Sequence, residues 1–374
     1  MVTNVLIAGA GRIGQAISRL LGPCREYSLT VADCDHAALA QVSPEHATRV
    51  TADLCDREVV GRLLVDADVV ISACPYYMNP LIASAAVSSG AHYFDLTEDV
   101  QTTRHVRELA PRASTVLMPQ CGLAPGFVSI AAFDLAQRFD SLQRLCMRVG
   151  AIPRFPSNVL KYNLTWSTEG LINEYCNPCE TILEGERREV IALEGLEEFS
   201  LDGTRYEAFN TSGGLGSLCE TLQGKLGELS YKTIRYPGHR DLIRFLVDDL
   251  RLRDQRDVLK GIFERALPVT GQDVVIVFVT ASGLRDGAFT EETYVHRVPH
   301  AHIAGRPMAA IQLTTAAGVC AMVDLLREGR LPSSGFVRQE DVSMELFLAN
   351  RFGRHYDGGY SSTLSSRGEL RAAE

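Results

Sequence analysis

Val5-Leu6-Ile7-Ala8-Gly9-Ala10-Gly11-Arg12-Ile13-Gly14 decides the fold. A short apolar run meets a Gly-x-Gly-x-x-Gly turn, and the amphipathic segment Gln15 to Leu21 follows at once. Gly9 permits a tight turn out of a strand, Gly11 lets backbone N–H groups approach a pyrophosphate, and Gly14 lets the new helix pack closely on the sheet. Phosphates would then sit on the positive end of that helix, beside Arg12 and Ile13. A second apolar run, Leu29-Thr30-Val31-Ala32, ends in Asp33, roughly the 20 residues downstream where a ribose-binding acid is expected. The alternative is an α/β fold whose glycines serve only the turn.

Outward from that stretch, strand and helix signals alternate in short units, which predicts a parallel sheet. Strands are expected at Arg49–Asp53, Asp68–Ser72, His92–Asp95 and Thr115–Met118, with helices between them. Six strands with five crossovers in about 120 residues is the size of a doubly wound dinucleotide domain. Ligands of such sheets lie beyond the carboxyl ends of the strands. That rule selects the glycine turn, Asp53-Leu54, Pro75-Tyr76-Tyr77 and Asp95-Leu96-Thr97-Glu98.

The pattern changes near residue 121. Gly122-Leu123-Ala124-Pro125-Gly126 is a turn or hinge, and Val128–Phe139 is an amphipathic helix. Strand-like stretches follow at Leu145–Val149, Tyr162–Trp166, Tyr206–Phe209, Tyr231–Arg235, Asp273–Val279 and Thr293–Val298, with helices near Leu171–Tyr175 and Arg240–Leu246. The expected architecture is α/β: a Rossmann dinucleotide-binding domain over residues 1–120 and an α+β substrate and dimerisation domain over 121–308, with a mixed or antiparallel sheet. The alanine-rich Ala309–Leu326 reads as one long buried helix, and residues 309–350 are expected to return to the first domain. Residues 354–374 read as a flexible tail.

The bulk properties narrow the function classes. The 374 residues suffice for two cores. A formal charge of −9 argues against a nucleic-acid or anionic-membrane partner. No apolar run is read as reaching the roughly 18 residues of a membrane span, the N-terminus lacks a signal-peptide pattern, and a cytoplasmic setting is expected. The ten cysteines are scattered, as reduced thiols are. Cys176-Asn177-Pro178-Cys179 has Cys-x-x-Cys spacing, but no second pair completes a zinc site, so no metal is expected.

Six strings occur together: the glycine turn, Tyr93-Phe94-Asp95-Leu96, Gly122–Gly126, Thr165–Tyr175, Tyr206–Phe209 and Arg235-Tyr236-Pro237-Gly238-His239. In order and spacing the chain resembles the saccharopine dehydrogenase family, and within it the lysine 6-dehydrogenases. The resemblance implies an amino-acid oxidoreductase that moves a hydride between a nicotinamide and a carbon bearing nitrogen, working as a homodimer built through the second domain's sheet. Saccharopine-forming reductases typically carry Asp where this chain has Ala124, which favours oxidation of L-lysine at the ε-carbon. Saccharopine dehydrogenase proper, carboxynorspermidine dehydrogenase and a non-catalytic NAD-binding regulator are the alternatives.

Such chemistry needs a nicotinamide beside the C–H bond, a proton acceptor for the nitrogen and charge partners for the substrate. Asp33 should accept hydrogen bonds from ribose hydroxyls and repel a 2′-phosphate, which favours NAD over NADP. By family analogy Asp53 and Leu54 lie near the adenine, although Asp53 could instead cap the helix before Glu58. Ala73 and Pro75 are expected at the nicotinamide end. Tyr77, Asp95 and His239 are the candidate catalytic groups. Tyr77 could instead be junction packing, and Asp95 a cap of the helix near Asp99. Arg235 offers a fork for the substrate carboxylate, with the competing possibility of a surface arginine. Glu169 and Trp166 are candidate substrate contacts, Trp166 being equally suited to a core.

Overall fold

The computed structural model describes residues 2–357. Strands β1 (Thr3–Ala8), β2 (Tyr27–Asp33), β3 (Thr48–Thr51), β4 (Val69–Ser72), β5 (His92–Asp95) and β6 (Val116–Met118) alternate with helices α1 (Arg12–Leu21), α2 (His36–Ala40), α3 (Arg57–Leu63), α4 (Asn79–Ser89) and α5 (Val100–Leu109). All the strands pair in parallel, in the order 3-2-1-4-5-6 of a doubly wound sheet. Val69–Ser72 is buried at every position, as a strand covered by helices on both faces must be.

After β6 the chain passes through Pro119–Gly126 into α6 (Phe127–Ala136), a helix with eight of its residues buried. The second domain holds β7 (Ser141–Pro153), α7 (Thr168–Cys176), the hairpin β8 (Cys179–Leu183) and β9 (Glu186–Val190), β10 (Glu197–Leu201), β11 (Thr204–Asn210), α8 (Leu218–Leu222) and β12 (Glu228–Arg235). It continues with α9 (His239–Arg244), α10 (Arg256–Ala266), β13 (Asp273–Arg285), β14 (Ala288–Pro299) and the short pair β15 (Ala301–Ile303) and β16 (Arg306–Met308). The main sheet runs β10-β11-β12-β7-β13-β14, with β8 on β12. Only β12 and β7 pair in parallel, so the sheet is mixed.

Helix α11 (Ala310–Arg327) returns to the first domain and packs against α1. Its Gly318 has no room for a side chain, because a Cβ there would stand 2.6 Å from the Cys121 carbonyl oxygen. After it, β17 (Gly335–Phe336) adds a seventh parallel strand beside β6, and α12 (Met344–Ala349) follows. By length and composition α11 does qualify as apolar enough to cross a membrane, contrary to the sequence expectation. However, 78% of it is buried inside the protein, where α6 and α11 join both sheets into one core.

Three expectations change. Tyr162–Trp166 is no strand but a loop, with an isolated bridge from Leu164 to Val269 that lies outside the sheets. The Asn158 side chain ties its start, hydrogen-bonding the Tyr162 backbone on both sides. Residues 354–374 are not all tail: Gly353–Tyr356 form a helical turn, and the buried Tyr356 stacks on Phe127 at 4.1 Å. The remainder of that segment, 358–374, lies outside the described residues. Finally, the charged strand β9 had no apolar periodicity to announce it, whereas helix α10 did carry one, with Leu259 and Phe263 buried four residues apart.

Candidate active site

A cleft of about 690 Å³ opens between the carboxyl ends of the first sheet and the second domain's sheet. Its nucleotide side is made of backbone. Gly9 has φ +104°, and a Cβ there would stand 2.9 Å from the Ala73 carbonyl oxygen; at Gly14 it would collide with the Gly9 carbonyl oxygen. Gly11, by contrast, faces open space within 4 Å. It precedes the first turn of α1, whose N–H groups have no side-chain cap among the described residues and no acidic neighbour in that turn. This cradle fits a pyrophosphate. Arg12 and Ile13 line it, and Ala73 and Pro75 face it from the end of β4.

Asp33 does more than wait for a ribose. One of its oxygens accepts the Ala10 N–H at 2.6 Å and the other the Asp35 N–H at 2.9 Å, so the carboxylate also pins the glycine turn to β2. Asp53 accepts the Cys55 N–H at 2.9 Å and is exposed. Asp56, not Asp53, caps α3. Leu54 is a core residue beneath α3 rather than a surface for the adenine.

The catalytic candidates are redistributed by burial. Tyr77 is 61% exposed and turned away, edge-on to Tyr76, and it is Tyr76 that lines the cleft. Asp95 is fully buried and outside the cleft lining. It accepts hydrogen bonds from the Tyr93 hydroxyl and the Thr97 and Gln120 N–H groups, so it is a structural anchor. Burial raises its pKa to about 6, while those donors hold it down. The helix after it is capped instead by Asp99.

His239 is also buried behind the cleft. Its Nδ1 lies 2.9 Å from the Leu160 carbonyl oxygen and must donate, so Nε2 accepts from the Tyr175 hydroxyl at 3.0 Å. The Tyr175 oxygen in turn accepts Arg235 Nε–H at 3.1 Å. Burial, with the Arg235 charge beside it, lowers the imidazole pKa to about 3. His239 is therefore neutral and fully engaged, which removes it as an acid–base group and makes it a brace for Arg235.

Arg235, unlike Tyr77, Asp95 and His239, reaches the cleft. Burial opposes its charge, yet Tyr175, Tyr162 and Glu174 together keep it protonated. Its guanidinium lies over the Tyr162 ring at 4.8 Å and 3.9 Å from Glu174. Trp166 lines the cleft with its ring against Gly170, and Glu169 pairs with Lys260 at 2.6 Å. Sequence reasoning had placed Tyr76 and Glu98 in ligand-facing loops without giving either a role, and had passed over Glu174 and Lys260; all four line the cleft. Glu98 and Glu174 did stand inside quoted strings, but nothing local marked them for burial.

Comparison with known proteins matches this geometry. A family model described as the saccharopine dehydrogenase NADP binding domain matches residues 5–118. Another, described as the saccharopine dehydrogenase C-terminal domain, matches residues 122–350. Saccharopine dehydrogenase (NADP(+), L-glutamate-forming) of Saccharomyces cerevisiae is 27% identical over 276 residues, or 68% of this chain and 59% of that one. The mitochondrial alpha-aminoadipic semialdehyde synthase of Rattus norvegicus is 22% identical over 192 residues, or 49% and 21%. The chain thus spans less than two thirds of the length of these curated relatives. The solved apo saccharopine dehydrogenase (L-Glu forming) from Saccharomyces cerevisiae superposes with a TM-score of 0.76 at 18% identity, covering 92% of this chain and 95% of that one, which shows a shared fold.

Proposed function

This chain belongs to the saccharopine dehydrogenase family; on that premise, we propose that it is an NAD(P)-dependent dehydrogenase that oxidises L-lysine at the carbon bearing the side-chain nitrogen. The observation that carries this reading is the charge of the cleft. Lys260 is paired with Glu169, and Arg12 belongs to the phosphate cradle. What remains for a substrate is the cationic Arg235, itself 3.9 Å from Glu174, against the carboxylates of Glu98, Glu174 and Glu264. A ligand with one carboxylate and two ammonium groups complements that set. Saccharopine, with three carboxylates, meets an excess of like charge.

The bound nicotinamide would supply the hydride acceptor. The protein's own residues bind and orient. Arg235, held by Tyr175 and His239, receives the α-carboxylate, while the loop Leu96–Glu98 and Tyr76 enclose the reacting end. NAD is proposed as the preferred cofactor, although the matched family model and the yeast relative carry NADP in their descriptions. Asp33 supports NAD, because its charge at the ribose repels a 2′-phosphate. Asp33→Ser should narrow the preference by about tenfold, one close charge contact being worth on the order of 1.4 kcal/mol. The proposed assembly is a homodimer, supported by partly exposed Phe199, Tyr236 and Phe278 on the sheet face opposite α6 and α11; light scattering measures it.

The deciding assay follows reduced-nicotinamide absorbance with NAD or NADP and either L-lysine or saccharopine. Turnover of lysine supports the proposal. Turnover confined to saccharopine replaces it with the activity that the relatives' names carry.

A further inference from the structure

Of two carboxylates that line the cleft, Glu98 and Glu174, only Glu174 has a charged side-chain partner among the described residues, the Arg235 guanidinium. Glu98 stands in the loop between β5 and α5, on the wall shared with Ala73–Tyr76 and Gly122–Pro125. Glu174 stands on α7, on the Arg235 side. They meet across the helix. A Cβ built on Gly170 would be 3.0 Å from Glu98 Oε1, and Gly170 precedes Glu174 by four residues, so the Glu98 carboxylate lies one turn below Glu174 on the same helix face. Gly213 walls the other side of Glu98, with 2.8 Å between a Cβ there and the Glu98 carbonyl oxygen.

Among the described residues no side chain donates a hydrogen bond to either carboxylate; the Arg235 guanidinium, 3.9 Å from Glu174, is an ion-pair partner only. Glu98 accepts from its own backbone N–H, and half-buried carboxylates so sparsely supplied with donors are ready acceptors for a ligand's N–H groups. Resting on the function proposed above, we infer that Glu98 and Glu174 seat the reacting ammonium of the substrate, and that Glu98, on the nicotinamide side, takes its proton. An ammonium brings three N–H donors and one positive charge, enough to bridge both carboxylates. One N–H bond breaks and its proton moves to a Glu98 oxygen. The freed nitrogen lone pair forms the C=N bond as the C–H electron pair leaves, as hydride, for the oxidised nicotinamide. The products are an iminium, protonated Glu98 and reduced nicotinamide.

The electrostatics agree with that geometry. Burial raises Glu98 to about 7, its own backbone N–H opposing and the Asp99 and Asp95 charges adding to it. Burial raises Glu174 to about 8, Arg235 opposing and the Glu98 charge adding. Glu169, Lys260 and Glu264 also face the cleft, the first two paired with each other. A proton acceptor near the working pH is what such transfer needs.

The test uses the full chain and its Glu98→Gln, Glu98→Asp and Glu174→Gln variants. Calorimetric binding of L-lysine is compared with L-norleucine, which lacks the side-chain nitrogen, and kcat is followed against pH. Glu174→Gln should weaken lysine by about tenfold or more, the typical range of one lost charge-assisted contact, and leave norleucine unchanged. Glu98→Gln should lower kcat by about 10²–10⁴ and erase the acidic limb of its pH profile, and Glu98→Asp should restore part of that limb. Norleucine binding reports that each variant is folded. Wild-type lysine turnover with an unchanged limb in Glu98→Gln, or unchanged lysine binding in Glu174→Gln, overturns this inference alone. If the wild type turns over only saccharopine, the lysine reading falls and the same variants test the carboxylates on that amine. A wild type inactive on both overturns both.

Discussion

The two walls of the cleft are built from different materials. On the nucleotide wall the working groups are backbone N–H donors at the start of α1, and the side chain beside them, Asp33, is hydrogen-bonded into the turn itself. On the substrate wall the working groups are ionisable side chains: the buried Arg235, the half-buried Glu174 and, from the loop opposite, the half-buried Glu98. The first wall is a fixed shape that any dinucleotide of the right geometry can use. The second is a balance of charges, set by what each side chain touches. Damage to the first should act through space, and damage to the second through charge.

The largest effect follows from space. Gly14→Ala drives a Cβ into the Gly9 carbonyl oxygen, a backbone atom that cannot rotate away. Overpacking of this kind costs about 1–3 kcal/mol in stability, and the shifted turn should weaken NAD(P) binding by about a hundredfold, as a cofactor titration measures. Retention of cofactor affinity would break the claim that this wall works by shape. Next comes charge. Arg235→Met preserves bulk but deletes the buried cation, and kcat/KM should fall by about 10²–10³, the cost of removing one partner of a desolvated charge pair. A loss residing in KM with kcat preserved would assign Arg235 to uniform binding of the carboxylate.

The same contrast explains what could be read from residues alone. The glycine turn and Asp33 are constrained locally, by sterics within a few residues, so spacing sufficed to place them. A parallel, doubly wound sheet of six strands followed from the alternation of strand and helix signals. The substrate wall has no such local rule. Tyr76 and Tyr77 are neighbours in one short helical turn, and only the tertiary environment decides which enters the cleft. Arg235 and His239 share a string, yet one faces the cleft and the other supports it from behind through Tyr175. Asp95 ends a strand just where catalytic carboxylates stand, but three donors from β5, the following loop and the segment after β6 consume it. Strand β17 is two residues long and joins the sheet more than two hundred residues after β6, a pairing that periodicity cannot signal.

The charge balance also has a signature in stability. Glu98 and Glu174 ionise at about 7 and about 8 in the folded protein, against the ordinary carboxylate range when unfolded. Their folded pKa values are raised, so between those limits the folded state holds more protons than the unfolded one, and stability falls as pH rises. His239 acts oppositely: its folded value of about 3 lies below its unfolded one, so its contribution grows as pH rises towards the ordinary imidazole range and is constant above it. Between about pH 6.5 and 8 the carboxylates alone should remain. The Tm of the ligand-free wild type should then decline across that window relative to a Glu98→Gln/Glu174→Gln double variant. Parallel Tm curves would break the assignment of strained charge to this wall, and flattening of the difference by added lysine would sharpen it.

The smallest effect tests the boundary between the walls. Tyr77 sits at the tip of the turn after β4, its ring 5.9 Å from Tyr76 and mostly in solvent. Its hydroxyl makes no hydrogen bond among the described residues, so removing it uncovers no buried partner and leaves no unmet donor. Surface changes of this kind fall within about 0.5 kcal/mol. Tyr77→Phe should therefore keep kcat and KM within about twofold of wild type, while Tyr76→Phe alters the cleft lining and should change KM for the amine more than that. A tenfold fall in kcat for Tyr77→Phe would mean that the turn closes inward when substrate binds. The nucleotide wall would then be a moving part, and the division between fixed shape and balanced charge would fail at its edge.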